Sequence, residues 1–364
     1  MTVRHGGKNA ICLCVDRNMI VPALFVACAV ARHANRGRDD HDLVIVVPPG
    51  DLDAAHRDFA RSRNILIDET MELDSIRDIR VSEARLSSAT LMRLLLAGHY
   101  EGKYEKILYL DADLTIHEGP GRLFDIDMEG HSLAAVPSGR VLSDLPDKEA
   151  KRITSHFSAL GMTPPYRYFN AGVMLIDPSK WMKERITERA LDFVRKNPEL
   201  CALPDEDALN AVLDGAFLEL SPIWNARPDR LWASDFEPAI VHYAGVSKPW
   251  IRFGRYKRFR ELRSAYRCYA KFIGQTPWPT YLRSRWGFKD VCGSMVREGE
   301  YLVSTLIAAL SGKKSGKRRA FREEYRKFTH ESDFADVRQG LATRERGFIR
   351  CSVDQEVRER GVLR

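Results

Sequence analysis

Through the first 250 residues, short apolar runs alternate with amphipathic stretches, and this alternation limits the fold more than any other feature. Ala10–Val15 reads as a buried strand and Val21–Ala34 as a helix with Pro22 in its first turn. Leu43–Val47 is a second strand, stopped by Pro48-Pro49-Gly50. Asp51–Arg61 reads as a helix, Ile65–Ile67 as a strand, and Ser88–Ala97 as a helix capped by Ser87 or Ser88. Lys106–Leu110, Leu133–Val136, Gly172–Ile176 and Ile240–Tyr243 follow as strands, with Ser179–Lys196 and Asp205–Leu213 as helices. Such a series implies an α/β fold, a largely parallel sheet with helices on both faces. Ligands of such sheets bind beyond the carboxyl ends of the strands, so the residues just after each strand carry the functional information.

Asp16, Arg17 and Asn18 follow the first strand, Asp111, Ala112 and Asp113 follow Lys106–Leu110, and Ala244, Gly245 and Lys248 follow the last. No G-x-G-x-x-G follows the first strand and no G-x-x-x-x-G-K-[ST] occurs, so neither a dinucleotide nor a Walker-type phosphate site is expected. Two carboxylates spaced as in Asp111-Ala112-Asp113 repel unless a divalent cation, a shared proton or a nearby Arg or Lys compensates. A solvated turn is the plainest alternative.

Two chemistries use such a pair. Leu108–Thr115 resembles the D-x-D-x-[TV] signature of haloacid-dehalogenase-type phosphatases, in which Asp111 would be the nucleophile and Asp113 the general acid, with magnesium. That signature ordinarily opens its domain, whereas two β-α units precede it here, and no later acidic pair with an intervening Lys is found. The second chemistry is sugar transfer from a nucleotide diphosphate. Six segments, in order, carry it: Cys14–Asn18, Ser88–Leu94, Leu110–Asp113, Phe169–Asp177, Asp205–Asn210 and His242–Trp250. Together they resemble the family-8 glycosyltransferases, retaining enzymes of the GT-A fold that include bacterial lipopolysaccharide galactosyl- and glucosyltransferases and the glycogenins.

The resemblance implies a role for each matching residue. Asp16 and Asn18 would meet the uracil and ribose of UDP, Arg93 the donor's anionic side, and Asn170 with Ala171 the sugar. Asp111 and Asp113 would bind the metal with His242 as third ligand, and Ala112 would line the nucleotide-sugar site between them. Gly245 and Lys248 would meet the diphosphate, while Asp205 and Glu206 would lie at the sugar's reacting face. A donor set of two carboxylates and an imidazole suits Mn2+, with Mg2+ as the alternative. The metal and Lys248 would stabilise charge on the leaving oxygen, and Gly245 would let the backbone approach the phosphate. Glu206 stands where relatives often carry Gln, and Ser138 stands where they commonly place an Asp.

Charge is uneven along the chain. Lys and Arg number 57 against 50 acids, but residues 251–330 hold 20 against six, which leaves the remainder net acidic. Residues 1–250 are therefore expected to form the transferase domain, 251–330 a basic, aromatic-rich, mainly helical appendage, and 331–364 a charged tail. Arg252 to Phe272 mix cations with rings, including Tyr266, Tyr269 and Phe272, as an interfacial helix on anionic lipid does. Single-stranded nucleic acid would tolerate the same mixture, but no recognition motif accompanies it. A non-enzymatic protein binding membrane or RNA, with the α/β body as scaffold, is the remaining alternative. The expected partners are a UDP-sugar, a lipid-linked or oligosaccharide acceptor, and an anionic membrane surface. No apolar run spans a bilayer and no leader is recognised, so a cytoplasmic protein, peripheral on the inner membrane face, is expected. Seven cysteines without paired spacing are expected to be reduced thiols.

Overall fold

The computed structural model describes residues 7–33, 41–79, 88–138, 147–164, 166–228, 237–245, 248–250 and 260–283. The chain divides into two compact units, Met1–Ala112 with Gly119–Pro222, and Asp113–Glu118 with Ile223–Arg364.

The first unit opens with β1 (Asn9–Cys14), α1 (Ile20–His33), β2 (His41–Val46), α2 (Ala54–Arg61), β3 (Leu66–Asp68), α3 (Leu96–His99) and β4 (Lys106–Leu110). The chain then makes β5 (Leu114–Ile116), which belongs to the second unit, and returns for β6 (Leu133–Pro137), α4 (Asp147–Ala159) and β7 (Phe169–Ile176). The first unit closes with α5 (Pro178–Lys183), α6 (Ile186–Lys196), α7 (Pro204–Leu213) and β8 (Leu218–Glu219). Its seven strands are ordered β3-β2-β1-β4-β7-β6-β8. β1 runs parallel to β2 and β4, and β2 parallel to β3, because helical crossovers join them. Ile11–Leu13 and Ile107–Leu110 are buried throughout, as expected of strands covered on both faces.

β7 is the exception, antiparallel to both β4 and β6. Its reversal matters for the site. The carboxyl ends of β1 and β4 lie side by side, and the reversed strand delivers its own beginning to that same edge. The Asp111 amide accordingly donates to the Gly172 carbonyl at 2.9 Å.

Two expected helices differ in detail. Ser179–Lys196 is two helices, α5 and α6, broken where Arg185 takes a left-handed conformation (φ 54°). Trp181 and Ile186, on either side of the break, are both fully buried. Ser88–Leu95 is a 3-10 helix that becomes α-helical only at α3. Within it the Arg93 Nε donates to the Thr90 carbonyl three residues back.

The second unit contains the antiparallel pair of β5 with β9 (Ile240–His242), then α8 (Arg260–Ile273). Ala265, Cys268, Tyr269, Phe272 and Ile273 are buried at helical spacing. Tyr269 and Phe272, expected at a lipid surface, are therefore core residues, and Trp250 packs on Tyr269 at 5.5 Å between ring centroids. Most of the expected appendage (251–259 and 284–330) and the charged tail lie outside the described residues. Among the described residues no helix is long and apolar enough to cross a membrane. Cys12, Cys14, Cys28 and Cys201 are free, but Cys268 is disulfide-bonded to a partner outside the described residues, which corrects the expectation of reduced thiols throughout. Sequence spacing could not reveal this bond, because tertiary folding chooses the partner.

Asn210 of α7 secures the start of β7. Its Oδ1 accepts from the Phe169 amide at 2.8 Å, and its Nδ2 donates to the Phe169 and Glu206 carbonyls. The amide thus extends the ladder by one rung where no strand continues. Asn210→Ala should lower the unfolding free energy by about 2 kcal/mol, since it strands buried backbone groups. An unchanged urea midpoint would contradict this.

Candidate functional site

Asp111 and Asp113 flank the point where the chain passes from one unit to the other. Tyr109, two residues earlier on the same face of β4, donates its hydroxyl to Asp111 Oδ1 at 2.6 Å. Arg93 pairs with the same oxygen at 2.9 Å and with Asp205 at 3.0 Å, and donates to the Ala171 carbonyl at 3.0 Å. Its guanidinium also lies over the Tyr109 ring, 4.4 Å from the centroid. Burial opposes its charge, but Asp111 and Asp205 outweigh that and hold it charged.

Asp113 is buried with an ammonium and an imidazole beside it. The Lys248 Nζ lies against its Oδ2, and the His242 Nε2 is 3.2 Å from its Oδ1. Burial alone would push the Asp113 carboxyl up; Lys248 and then His242 overcome it and hold the group well below the usual carboxylate range. On its other side the His242 ring meets Asn225, Nδ1 to Oδ1 at 2.9 Å.

Asp111, Asp113 and His242 each offer one ligand atom, and these atoms all lie within 4.8 Å of one another. One intervening residue fixes Asp111 beside Asp113, and the β5–β9 register, which pairs Leu114 with His242, fixes the imidazole. Two carboxylate oxygens and an imidazole nitrogen form a donor set that fits a divalent transition ion.

Three acids, Asp205, Glu206 and Asp207, are buried in the first turn of α7, where the helix dipole favours negative charge. Each has its own partners. Asp205 meets Arg93. Glu206 Oε2 accepts from Asn170 Nδ2 at 2.8 Å and from the Ala171 amide at 2.9 Å. Asp207 accepts from the Tyr168 hydroxyl and the Leu203 amide, and lies 3.0 Å from His156 Nε2. Burial, chiefly, pushes Glu206 up to about 8; the Ala171 amide opposes this, Asp205 and Asp207 add to it, and Arg93 opposes it. Burial likewise raises Asp205 against the pull of Arg93.

Of the expected residues, Arg93, Asp111, Asn170, Ala171, Asp205 and Glu206 therefore form one connected cluster in the first unit. Asp113, His242 and Lys248 form another in the second. Asp16 and Asn18 meet each other: the Asp16 carboxylate caps a 3-10 turn by accepting the Asn18 amide at 2.9 Å. Gly245 has φ +99°, and nothing lies within 4 Å of where a Cβ would stand. Its backbone conformation, rather than crowding, is what calls for glycine there. Asn225, Tyr109, Tyr168 and His156 were not anticipated. Tyr109 was legible from its i−2 spacing to Asp111, whereas nothing in the sequence ties Asn225 to His242.

The similarity to known proteins covers part of the chain. The sequence profile described as Glycosyl transferase family 8 matches residues 10–254. General stress protein A of Bacillus subtilis (strain 168) is 28% identical over 201 residues, covering 50% of this chain and 66% of that protein. Lipopolysaccharide 1,3-galactosyltransferase of Salmonella typhimurium is 30% identical over 179 residues, covering 46% of this chain and 51% of that protein. The chain thus spans about half to two thirds of the length of these relatives. The solved structure of galactosyltransferase LgtC with donor and acceptor sugar analogs is alike in fold, with TM-score 0.60 at 21% identity, covering 74% of this chain and 96% of that one.

The raised Glu206 carboxyl has a consequence for stability. Because the folded chain holds this proton to a higher pH than the unfolded chain, the stabilisation is complete below about pH 4.5. It is lost as pH rises toward about 8, at up to about 1.4 kcal/mol per pH unit. Melting temperatures of wild type and Glu206→Gln across that window should diverge as pH rises, the variant keeping its stability. Parallel curves would show that Glu206 titrates normally.

Proposed function

The chain belongs to glycosyl transferase family 8, and on that premise we propose that it moves a hexose, galactose or glucose, from a UDP-sugar to a glycan acceptor with retention of configuration. The observation that carries this reading is the Asp111, Asp113 and His242 donor set at the end of β4. The name of the Salmonella relative favours lipopolysaccharide or another surface glycan as acceptor. A peripheral position at the inner membrane face, through residues 251–330, belongs to the same proposal.

Asp111, Asp113 and His242 would hold Mn2+, or Mg2+ in its place, which when bound supplies positive charge to the diphosphate leaving group. Lys248 adds a compact cation beside Gly245, and Arg93 keeps Asp111 oriented while facing the donor's anionic side. Asp16, by capping its own turn, fixes Asn18 toward the nucleoside, and Ala112 lines the site between the two acids.

At the sugar, Asn170 and the Ala171 peptide hold Glu206, and Arg93 holds Asp205. With a carboxyl that titrates near 8, Glu206 is a neutral acid at pH 7. A neutral acid is a poor nucleophile, and its Oε2 already accepts two N–H bonds. We therefore propose that Glu206 stabilises positive charge on the sugar through its carbonyl dipole. The bond from C1 to the diphosphate oxygen breaks with its electron pair leaving on that oxygen. The acceptor hydroxyl enters from the same side, and its proton passes to the departing phosphate.

UDP together with Mn2+ should raise the melting temperature by several degrees, and either alone by much less; equal stabilisation by unrelated nucleotides would count against a UDP-sugar. Asp113→Ala should abolish metal-dependent turnover, and near-normal rates would refute the ligand assignment. Glu206→Gln should keep the rate within about tenfold, a change of ~1.4 kcal/mol in barrier; a glycosylated Glu206 trapped in the wild type would establish attack by this carboxylate instead.

A further inference from the structure

We infer that Asn225 is a positioning residue that sets the tautomer of His242 and so makes its Nε2 available as a ligand. The inference rests on the reading of Asp111, Asp113 and His242 as the metal site. Asn225 ends a short 3-10 turn, Pro222–Asn225, and is buried, as is His242. Its Oδ1 lies 2.9 Å from His242 Nδ1, while the opposite ring nitrogen is 3.2 Å from Asp113 Oδ1. A carbonyl oxygen can only accept, so it keeps the proton on Nδ1. The Nε2 lone pair then faces the carboxylate side of the site.

The backbone around Asn225 is held from both flanks. Ala239 donates to the Ile223 carbonyl at 2.9 Å, the Ala226 amide to the Ile240 carbonyl at 3.0 Å, and the His242 amide to the Ala226 carbonyl at 2.8 Å. Asn225 therefore sits in a backbone frame built on the strand that carries His242. Frame and imidazole are placed together, so little rotation is left to the ring. Were the amide turned over, Nδ2 would donate to Nδ1, the proton would move to Nε2, and the ligand side would be blocked. The two orientations thus make opposite predictions about one proton.

Isothermal titration of the full chain with Mn2+ alone, without nucleotide, separates this role from activity. Asn225→Leu, close in size but without an acceptor, should weaken Mn2+ binding about 10- to 100-fold. Asn225→Asp, which keeps the acceptor, should bind at least as tightly as wild type. In the Zn2+-loaded wild type, a diamagnetic probe, 15N spectra should place the His242 proton on Nδ1. A folded Asn225→Leu with wild-type Mn2+ affinity, an Asn225→Asp that loses tenfold or more, or a proton on Nε2 would each overturn the inference. Should Asn225→Leu not fold, the aspartate variant and the wild-type spectra still decide. Wild type that binds no Mn2+ would instead overturn the metal site itself, and the dependent role of Asn225 with it.

Discussion

A buried carboxylate with no countercharge is among the costliest things a fold can hold, and Asp113 sets that condition for everything around it. Lys248 and His242 meet it, yet they lie far later in the chain, in β9 and just after it. The β5–β9 pairing therefore does more than close a small sheet. It brings an imidazole and an ammonium to a carboxylate that could not otherwise stay ionised. The same arrangement makes the site chemically useful, since the groups that neutralise Asp113 are also the groups expected beside a cation and a diphosphate.

A comparable economy governs the first unit. Reversing β7 puts Asn170 and Ala171 beside the end of β4, and α7 is then tied to that strand by consecutive rungs. Tyr168 reaches Asp207, Asn210 reaches the backbone of Phe169, and Asn170 reaches Glu206. Three acids in one helical turn are tolerable because each finds separate donors. Glu206 finds only neutral N–H groups, whereas Asp205 finds a guanidinium. Burial raises both acids; Arg93 sits directly on Asp205 and pulls against it there, whereas at Glu206 burial carries the carboxyl up to about 8. A neutral acid in this position can do the work of an amide, which favours stabilisation of the sugar over attack upon it.

The sequence by itself marked most of the strands, though not Leu114–Ile116 or Leu218–Glu219, and most of the residues that gather at one sheet edge. Apolar runs bounded by turn residues and acids are written locally, and Asp111 and Asp113 stand out because they close such a run, whereas Glu206, between two other acids, was marked only by the family resemblance. Even Tyr109 was legible, two residues before Asp111 on the same face. Tyr269 and Phe272 were misjudged because a stripe of rings and cations looks the same whether it faces lipid or a core. Only packing showed these two rings to be interior.

Only the tertiary structure decided which partners those residues keep. It set Arg93 between Asp111 and Asp205, broke the helix at Arg185, put Cys268 in a disulfide, and put Asn225 behind His242. Hydrogen bonds and ion pairs act over a few ångströms, while the residues these join are 17 to 112 positions apart. No local pattern encodes such a meeting. It follows from strand order, from register, and from the need of every buried polar group to find a partner once water is gone.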